Sequence, residues 1–371
     1  MRGLRPWRDV SSHAGGLRSG LETIGGEPCF AEHIAFDIGG NGLPFAVRRL
    51  GLASVIEVVG PQTLESHMRA PGVVPAELCD LNIGDLPMAH GKDAVWVPAG
   101  DADVTGVYYS PDGTLLVSRC RGGKIRAWSC AEHRLLREWD DPNSLYFLRF
   151  RADGGRLVSL NIKGEAIWRD TRTWQAVRTF TVGTESLLGT HPWLGRTVSP
   201  DGHLLALGTE TGAVRWLSGE TGELLATTGT AHRHPVVGIA FSGDGVRAAS
   251  VAEDGTVAIW DPSLFQLIAA FRGHVQGAHG VVFSPDGRRL ATGGGVSREA
   301  VKLWDLSTQT PRELMTLSGQ GSVFLFVAFC PDGRWLAAVG QMGGQLHLWR
   351  APSWAEIEAP EKQEGSHEPE R

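Results

Sequence analysis

The sequence predicts an all-β fold of repeated four-stranded antiparallel sheets, and three observations carry that prediction. Asp-Gly pairs begin at Asp112, Asp153, Asp201, Asp244, Asp286 and Asp332. A tryptophan follows each by 15 to 18 residues, at Trp128, Trp168, Trp216, Trp260, Trp304 and Trp349. Successive tryptophans stand 40, 48, 44, 44 and 45 residues apart, which suits a four-strand unit and exceeds the roughly 34 residues of a helical-hairpin repeat.

Each piece of the unit has a physical role, as the stretch from His279 to Leu306, HGVVFSPDGRRLATGGGVSREAVKLWDL, shows. The apolar VVF is a short first strand. SPDG is a tight turn in which Pro presets φ and Gly tolerates a positive one. RRLATGG returns as the second strand, AVKLWD alternates at period two and carries the tryptophan, and RELMTL supplies an outer fourth strand. Such a sheet is apolar on both faces, so its neighbours must stack on it around a ring.

Upstream, His33 to Met68 keeps the strand and turn order without the Asp-Gly and Trp markers, with Val58 where the tryptophan would stand. This segment is expected to be a degenerate unit, and the Pro- and Gly-rich residues 71–100 an insertion before the next one. After Trp349 the chain has no fourth-strand pattern, and residues 19–28 are expected to supply that strand and close the ring. Residues 1–18 are expected to be flexible, 19–355 to form the propeller body, and 356–371 to be an acidic, disordered tail.

The units, FSPDG followed by VAIWD or VKLWD, resemble WD-repeat (WD40) β-propellers, and the resemblance spans roughly residues 30 to 354. It implies a seven-bladed β-propeller, with six clear repeats and the degenerate N-terminal blade. In that family a His, a Ser or Thr, an Asp and the Trp form a buried hydrogen-bonded tetrad, which here falls on His232, Ser250, Asp254 and Trp260. The next unit keeps His274 and Trp304 but has Arg298 at the Asp position, and Gln320 replaces the His before Trp349. Four of the six tryptophans lack the trailing Asp, a departure from the family pattern. The style of the repeats is similar to bacterial WD-repeat arrays often attached to serine/threonine kinases. No kinase signature is present, since VAIW at 257–260 has Trp where a kinase needs Lys and DFG is absent.

The chain has 371 residues, including 49 Gly and 13 Trp, with a net charge of −6. That balance argues against nucleic acid or an anionic membrane as partner. One stretch, residues 119–178, holds 13 Lys and Arg against seven Asp and Glu, and reads as a solvated basic surface or a contact for an acidic partner. The five cysteines include no CxxC pair, so reduced thiols are expected rather than disulfides or a zinc clip. No stretch has the roughly 18 apolar residues of a membrane span and the start lacks a signal-peptide core, so a cytoplasmic location is expected.

HExxH, GxSxG and a phosphate-binding glycine loop are all absent, and no catalytic residue, metal or cofactor is expected. The first strands lack the convergent carboxylates of a hydrolase. The expected function is a non-catalytic protein-protein interaction scaffold that binds proteins or peptides as a monomeric propeller within a complex. Candidate contacts are Trp193, Phe324, Phe147, Phe326, His234 and His279, large aromatics and imidazoles near the starts of first strands; packing inside the channel or between blades is the competing role for the aromatics. Two alternatives stand beside this reading: a hydrolase or metal-binding propeller using His232, His234, His274 and His279, and the regulatory part of a split kinase signalling protein.

Overall fold

The computed structural model describes residues 45–50, 53–58, 95–98, 104–120, 123–130, 132, 134–140, 145–161, 164–182, 194–229, 231–308, 310–319, 322–329, 333, 335–342 and 346–350. Among these, seven antiparallel sheets follow one another along the chain. Sheet 1 holds Phe45–Leu50, Ala53–Val58 and Val95–Pro98. Sheet 2 holds Val104–Tyr109, Leu115–Cys120, Lys124–Ser129 and Arg134–Asp140. Sheet 3 comprises Leu145–Phe150, Arg156–Asn161, Glu165–Asp170 and Ala176–Thr181. Sheet 4 comprises Arg196–Val198, Leu204–Gly208, Val214–Ser218 and Leu224–Thr227. Sheet 5 is Val236–Phe241, Ala248–Ala252, Thr256–Asp261 and Gln266–Arg272. Sheet 6 is Ala278–Phe283, Arg289–Gly294, Val301–Asp305 and Arg312–Leu317, and sheet 7 is Ser322–Phe329, Trp335–Met342 and Leu346–Arg350.

Burial orders the strands from axis to rim. The second strand of sheet 5 is buried at every position, whereas the fourth strands of sheets 2 to 5 are mostly exposed. First strands of successive sheets, from sheet 2 to sheet 7, pack on one another. The result is the β-propeller arrangement, with neighbouring sheets hiding each other's apolar faces. In sheets 4 to 6 the first strands converge so closely that a Cβ is excluded at one position of each. A Cβ on Gly195 would lie 2.8 Å from the backbone of Gly238, one on Gly238 would lie 2.6 Å from His279 O, and one on Gly280 would lie 2.8 Å from Phe324 O.

The Ser-x-Asp-Gly turn is a small hydrogen-bonded device, the same in four sheets. Ser110, Ser199, Ser242 and Ser284 donate to Asp112, Asp201, Asp244 and Asp286 over 2.5–2.6 Å. Each of these serines then accepts the backbone N–H five residues on. The glycines that follow hold φ of 71°, 79°, 72° and 66°, values that only glycine adopts without strain. The carboxyls are held below their ordinary range. The Ser hydroxyl is the largest cause at Asp112 and Asp244; at Asp201 and Asp286 partial burial opposes the shift and is outweighed by the Ser and backbone bonds.

Sheet 1 corrects one expectation. Val95–Pro98, assigned from the sequence to an insertion, pairs with Ala53–Val58, Val95 facing Val58. It is therefore a strand of the sheet, and residues 59–94 separate it from its partner. The strand expected over 19–28, the flexible start and the acidic tail lie outside the described residues.

Candidate functional site

The richest polar constellation is a buried chain of hydrogen bonds in sheet 5. Trp260 Nε1 donates to Ser250 Oγ at 2.8 Å, and Ser250 Oγ lies 2.7 Å from His232 Nε2. His232 Nδ1 meets Thr256 Oγ1, which donates to Asp254 Oδ1. Asp254 also accepts the backbone N–H of Arg233 at 2.7 Å and of Thr256 at 2.9 Å. The ends fix the direction of every proton. An ionised carboxylate only accepts, so Thr256 gives its proton to Asp254 and accepts from the imidazole at Nδ1; in the neutral ring Nε2 is then an acceptor, and Ser250, which accepts from the indole, donates to it. Burial pushes the imidazole down to about 4 against the opposing charge of Asp254, so His232 is neutral at pH 7. Thr256 thus stands between the two groups that the family pattern would join directly.

Sheet 6 carries a shortened version. Trp304 Nε1 and His274 Nε2 both meet Thr292 Oγ1 at 2.8 Å. The acid is Glu299, not the residue at the Arg298 position: Glu299 accepts the backbone N–H of Val275 at 3.0 Å, as Asp254 accepts that of Arg233. A 3-10 turn over Ser297–Glu299 lengthens the connection and moves the carboxylate one residue on. Ala300 follows Glu299 where a hydroxyl would be needed, and His274 Nδ1 is buried without a hydrogen bond, 3.7 Å from Glu299. Burial, reinforced by Lys302 and opposed by Glu299, lowers His274 to about 4.

The tryptophans do not form one ladder. Trp260 pairs with Ala248, six residues after Ser242. The residues paired at the same offset in sheets 3 and 4 are Arg169, opposite Leu157, and Leu217, opposite Leu205. Trp168 and Trp216 each sit one residue earlier, and in a strand one residue changes the face. The glycine in the turn between the second and third strands marks the slip. Trp128 and Trp260 follow Gly123 and Gly255 by five residues, whereas Trp168 and Trp216 follow Gly164 and Gly212 by four, all four glycines having positive φ.

Packing follows from that slip. Trp168 packs with Val198, Leu205, Leu207 and Leu217 of sheet 4, and Trp216 packs with Trp260, Val236 and Ile239 of sheet 5. Sheets 2 and 3, where Ala127 is small, are joined by Trp174 stacked on Trp139 at 5.7 Å. Every described interface between sheets 2 to 7 therefore receives at least one indole, from either side. On the switched face Trp168 Nε1 and Trp216 Nε1 are buried without partners. Trp260→Phe is accordingly expected to cost about 1–3 kcal/mol more than Trp216→Phe, because only the former removes a buried hydrogen bond. Urea midpoints of the two variants check this, and equal losses would refute it.

The candidate contact residues divide. Phe324 is fully buried beside His347 and Trp349, and Phe147 is buried against Val158 and Leu160, so neither offers surface. Phe326 is 52% exposed, His234 is exposed and His279 half-buried. Trp193 lies outside the described residues. Of the four histidines grouped as possible ligands, His232 has both nitrogens bonded and His274 is enclosed. Among the described residues no group of three His, Cys, Asp or Glu side chains could hold a metal. Burial pushes the Cys130 thiol up to about 11, too high for a nucleophile at neutral pH. No helix among the described residues is long and apolar enough to cross a membrane.

Residues 95–129, 222–261, 265–305 and 311–350 match the sequence model of the WD domain, G-beta repeat. These segments are WD40 repeats. Each begins on the outer strand of one sheet and ends on the third strand of the next, which assigns Val95–Pro98 as the outer strand of sheet 1. Periodic tryptophan protein 2 of Arabidopsis thaliana is 25% identical over 259 residues, covering 64% of this chain and 28% of that protein. Protein groucho of Drosophila melanogaster is 34% identical over 154 residues, covering 41% and 20%. Telomerase protein component 1 of Rattus norvegicus is 26% identical over 285 residues, covering 72% and 10%. The chain thus spans less than a third of the length of these curated relatives. Among solved structures, a chain of the mitotic checkpoint complex superposes with a TM-score of 0.63 at 15% identity, covering 86% of this chain and 89% of that one. The Cps50 (Swd1) β-propeller domain from Myceliophteria thermophila gives 0.63 at 14%, covering 87% and 97%.

Proposed function

We propose that this WD-repeat propeller is a non-catalytic scaffold that binds other proteins or peptides. The observation that carries this reading is how the polar side chains are used. Ser250, His232, Thr256, Asp254, Thr292 and His274 are enclosed in contacts that orient the strands, and the turn aspartates are tied to their own serines. The entries to the first strands and those strands themselves expose apolar and polar residues together: Val275 is 63% and Phe326 52% exposed, Arg233 and His234 are exposed, and His279 is half-buried. These residues belong to the entries and inner strands of neighbouring sheets, and a rigid body with adaptable loops suits recognition. That a similar propeller occurs in a mitotic checkpoint complex supports the same reading.

The test is quantitative capture from the native cell using the full chain, Phe326→Ala combined with His234→Ala, and an outer control, Leu264→Ser. Loss of the same partners from the double variant alone is the expected result. Retention of every partner by the double variant would overturn the assignment of these residues.

A further inference from the structure

The fourth strands are sheet edges, and an edge offers free backbone donors and acceptors that proteins guard with charge, proline or shortness. Four of the five described fourth-strand edges of sheets 2 to 6 are guarded by charge or shortness. Arg134–Asp140 carries four charged residues, Ala176–Thr181 has Arg178 at its middle, Leu224–Thr227 is four residues long, and Arg312–Leu317 opens with Arg312 and Glu313. The edge of sheet 5, Gln266–Arg272, reads QLIAAFR over seven residues with its single charge at the end, so its guard is the one it shares with the other four, a bulge in the pairing with the third strand, here at Ile268. That charge is directed back onto its own chain, Arg272 Nη2 donating to Val275 O at 3.1 Å. Leu267 is 47% and Ile268 51% exposed, and Leu264 just before them is 61% exposed.

We propose that this edge pairs with the same edge of a second copy of the chain, antiparallel about a two-fold axis through Ala269. The operation sets Ile268, the bulged residue, opposite Ala270, and beyond it Leu267 opposite Phe271 and Gln266 opposite Arg272. No like charges meet, and apolar side chains face each other across the new ladder. The same operation on Arg134–Asp140 would set Arg137 on Arg137. A two-fold contact closes on itself and covers the edge in both copies, so it yields a dimer rather than a fibre. One strand pair is small beside the roughly 1,200–2,000 Å² of a standard interface, and the association is micromolar. The contact lies on the rim, away from the first-strand entries of the proposed scaffold, so either can fail without the other.

Sedimentation velocity of the full chain, from low micromolar to a few hundred micromolar, tests the pairing. The expected result is a monomer–dimer equilibrium that Gln266→Glu, placed opposite Arg272, tightens about three- to tenfold and Gln266→Arg weakens by a similar factor. Ile268→Lys removes the dimer, while Leu225→Lys on the neighbouring edge leaves it unchanged. All three sites are exposed, and an unaltered urea midpoint shows that the fold is kept. A wild-type chain that stays monomeric throughout overturns the proposal, whether or not its edge captures an unrelated strand-forming peptide. So does a dimer that persists in Ile268→Lys, or one that Gln266→Glu and Gln266→Arg shift in the same direction.

Discussion

Acidification from pH 7 to 4.5 is expected to remove on the order of 5 kcal/mol of folding stability through two side chains, His232 and His274. Both imidazoles are held near 4 by burial, against an ordinary 6.5. Between those values the unfolded chain binds protons that the folded chain refuses, so stability is whole above pH 6.5 and falls as the pH drops toward 4. A displacement of that size is worth about 3 kcal/mol per histidine when fully expressed. The turn aspartates act in a separate window. Their depressed carboxyls contribute stability present above their ordinary value of 3.8, lost only as the pH falls further through their folded values.

Urea titrations at pH 7, 5.5 and 4.5 separate the two groups. His274→Gln, which cannot titrate, should flatten the slope between pH 6.5 and 4.5 by about half, whatever it costs at neutral pH. A wild-type curve that is level over that interval would show that the imidazoles are not enclosed as described.

The sequence makes the fold legible because each unit writes its turns in residues with few other uses. Asp-Gly after Ser-Pro or Ser-Gly admits little but a tight turn, and the strand order follows from it. His232, Ser250, Asp254 and Trp260 are readable by resemblance, yet Thr256, which joins His232 to Asp254, is not, because the motif names residue types and not the path of a proton. Glu299 escapes a count of positions because the 3-10 turn before it adds length that spacing alone cannot place. Phe324 and Phe147 look like contact residues only while their burial against their own and neighbouring sheets is unknown, since an aromatic at a strand start reads the same whether it packs inward or outward. Glycine recurs at Gly195, Gly238 and Gly280, a trace in the sequence of how closely the first strands of sheets 4 to 6 approach their neighbours.

The face taken by Trp168 and Trp216 was also written in the sequence, as an Asp-to-Trp offset of 15 residues where Trp128 and Trp260 show 16. A period near 44 conceals a slip of one, since spacing between repeats says little about parity within a strand. What restores the balance is volume. Leu217 occupies the position of Trp260 in sheet 4, and Trp168 fills from sheet 3 the space that Leu217 leaves.

Trp216→Ala is expected to be the most damaging single substitution, costing about 3–5 kcal/mol. Its indole has no exposed surface and lies 6.5 Å from Trp260, 6.0 Å from Phe241 and 6.0 Å from Phe265 between ring centroids. Phe265 makes the site diagnostic, because it holds φ at 54°, a left-handed conformation unfavourable for a bulky side chain. The corresponding residue of sheet 4 is Gly222, at φ 75°. Phe265 retains this backbone because its ring covers Trp216. Phe265→Gly in the wild type therefore exchanges lost packing for relieved strain, whereas in the Trp216→Ala background mainly the relief remains. A double-mutant cycle in urea should return a coupling of about 1–2 kcal/mol between the two positions. Strict additivity would mean that Phe265 keeps its conformation for another reason and that Trp216 does not seal the joint between sheets 4 and 5.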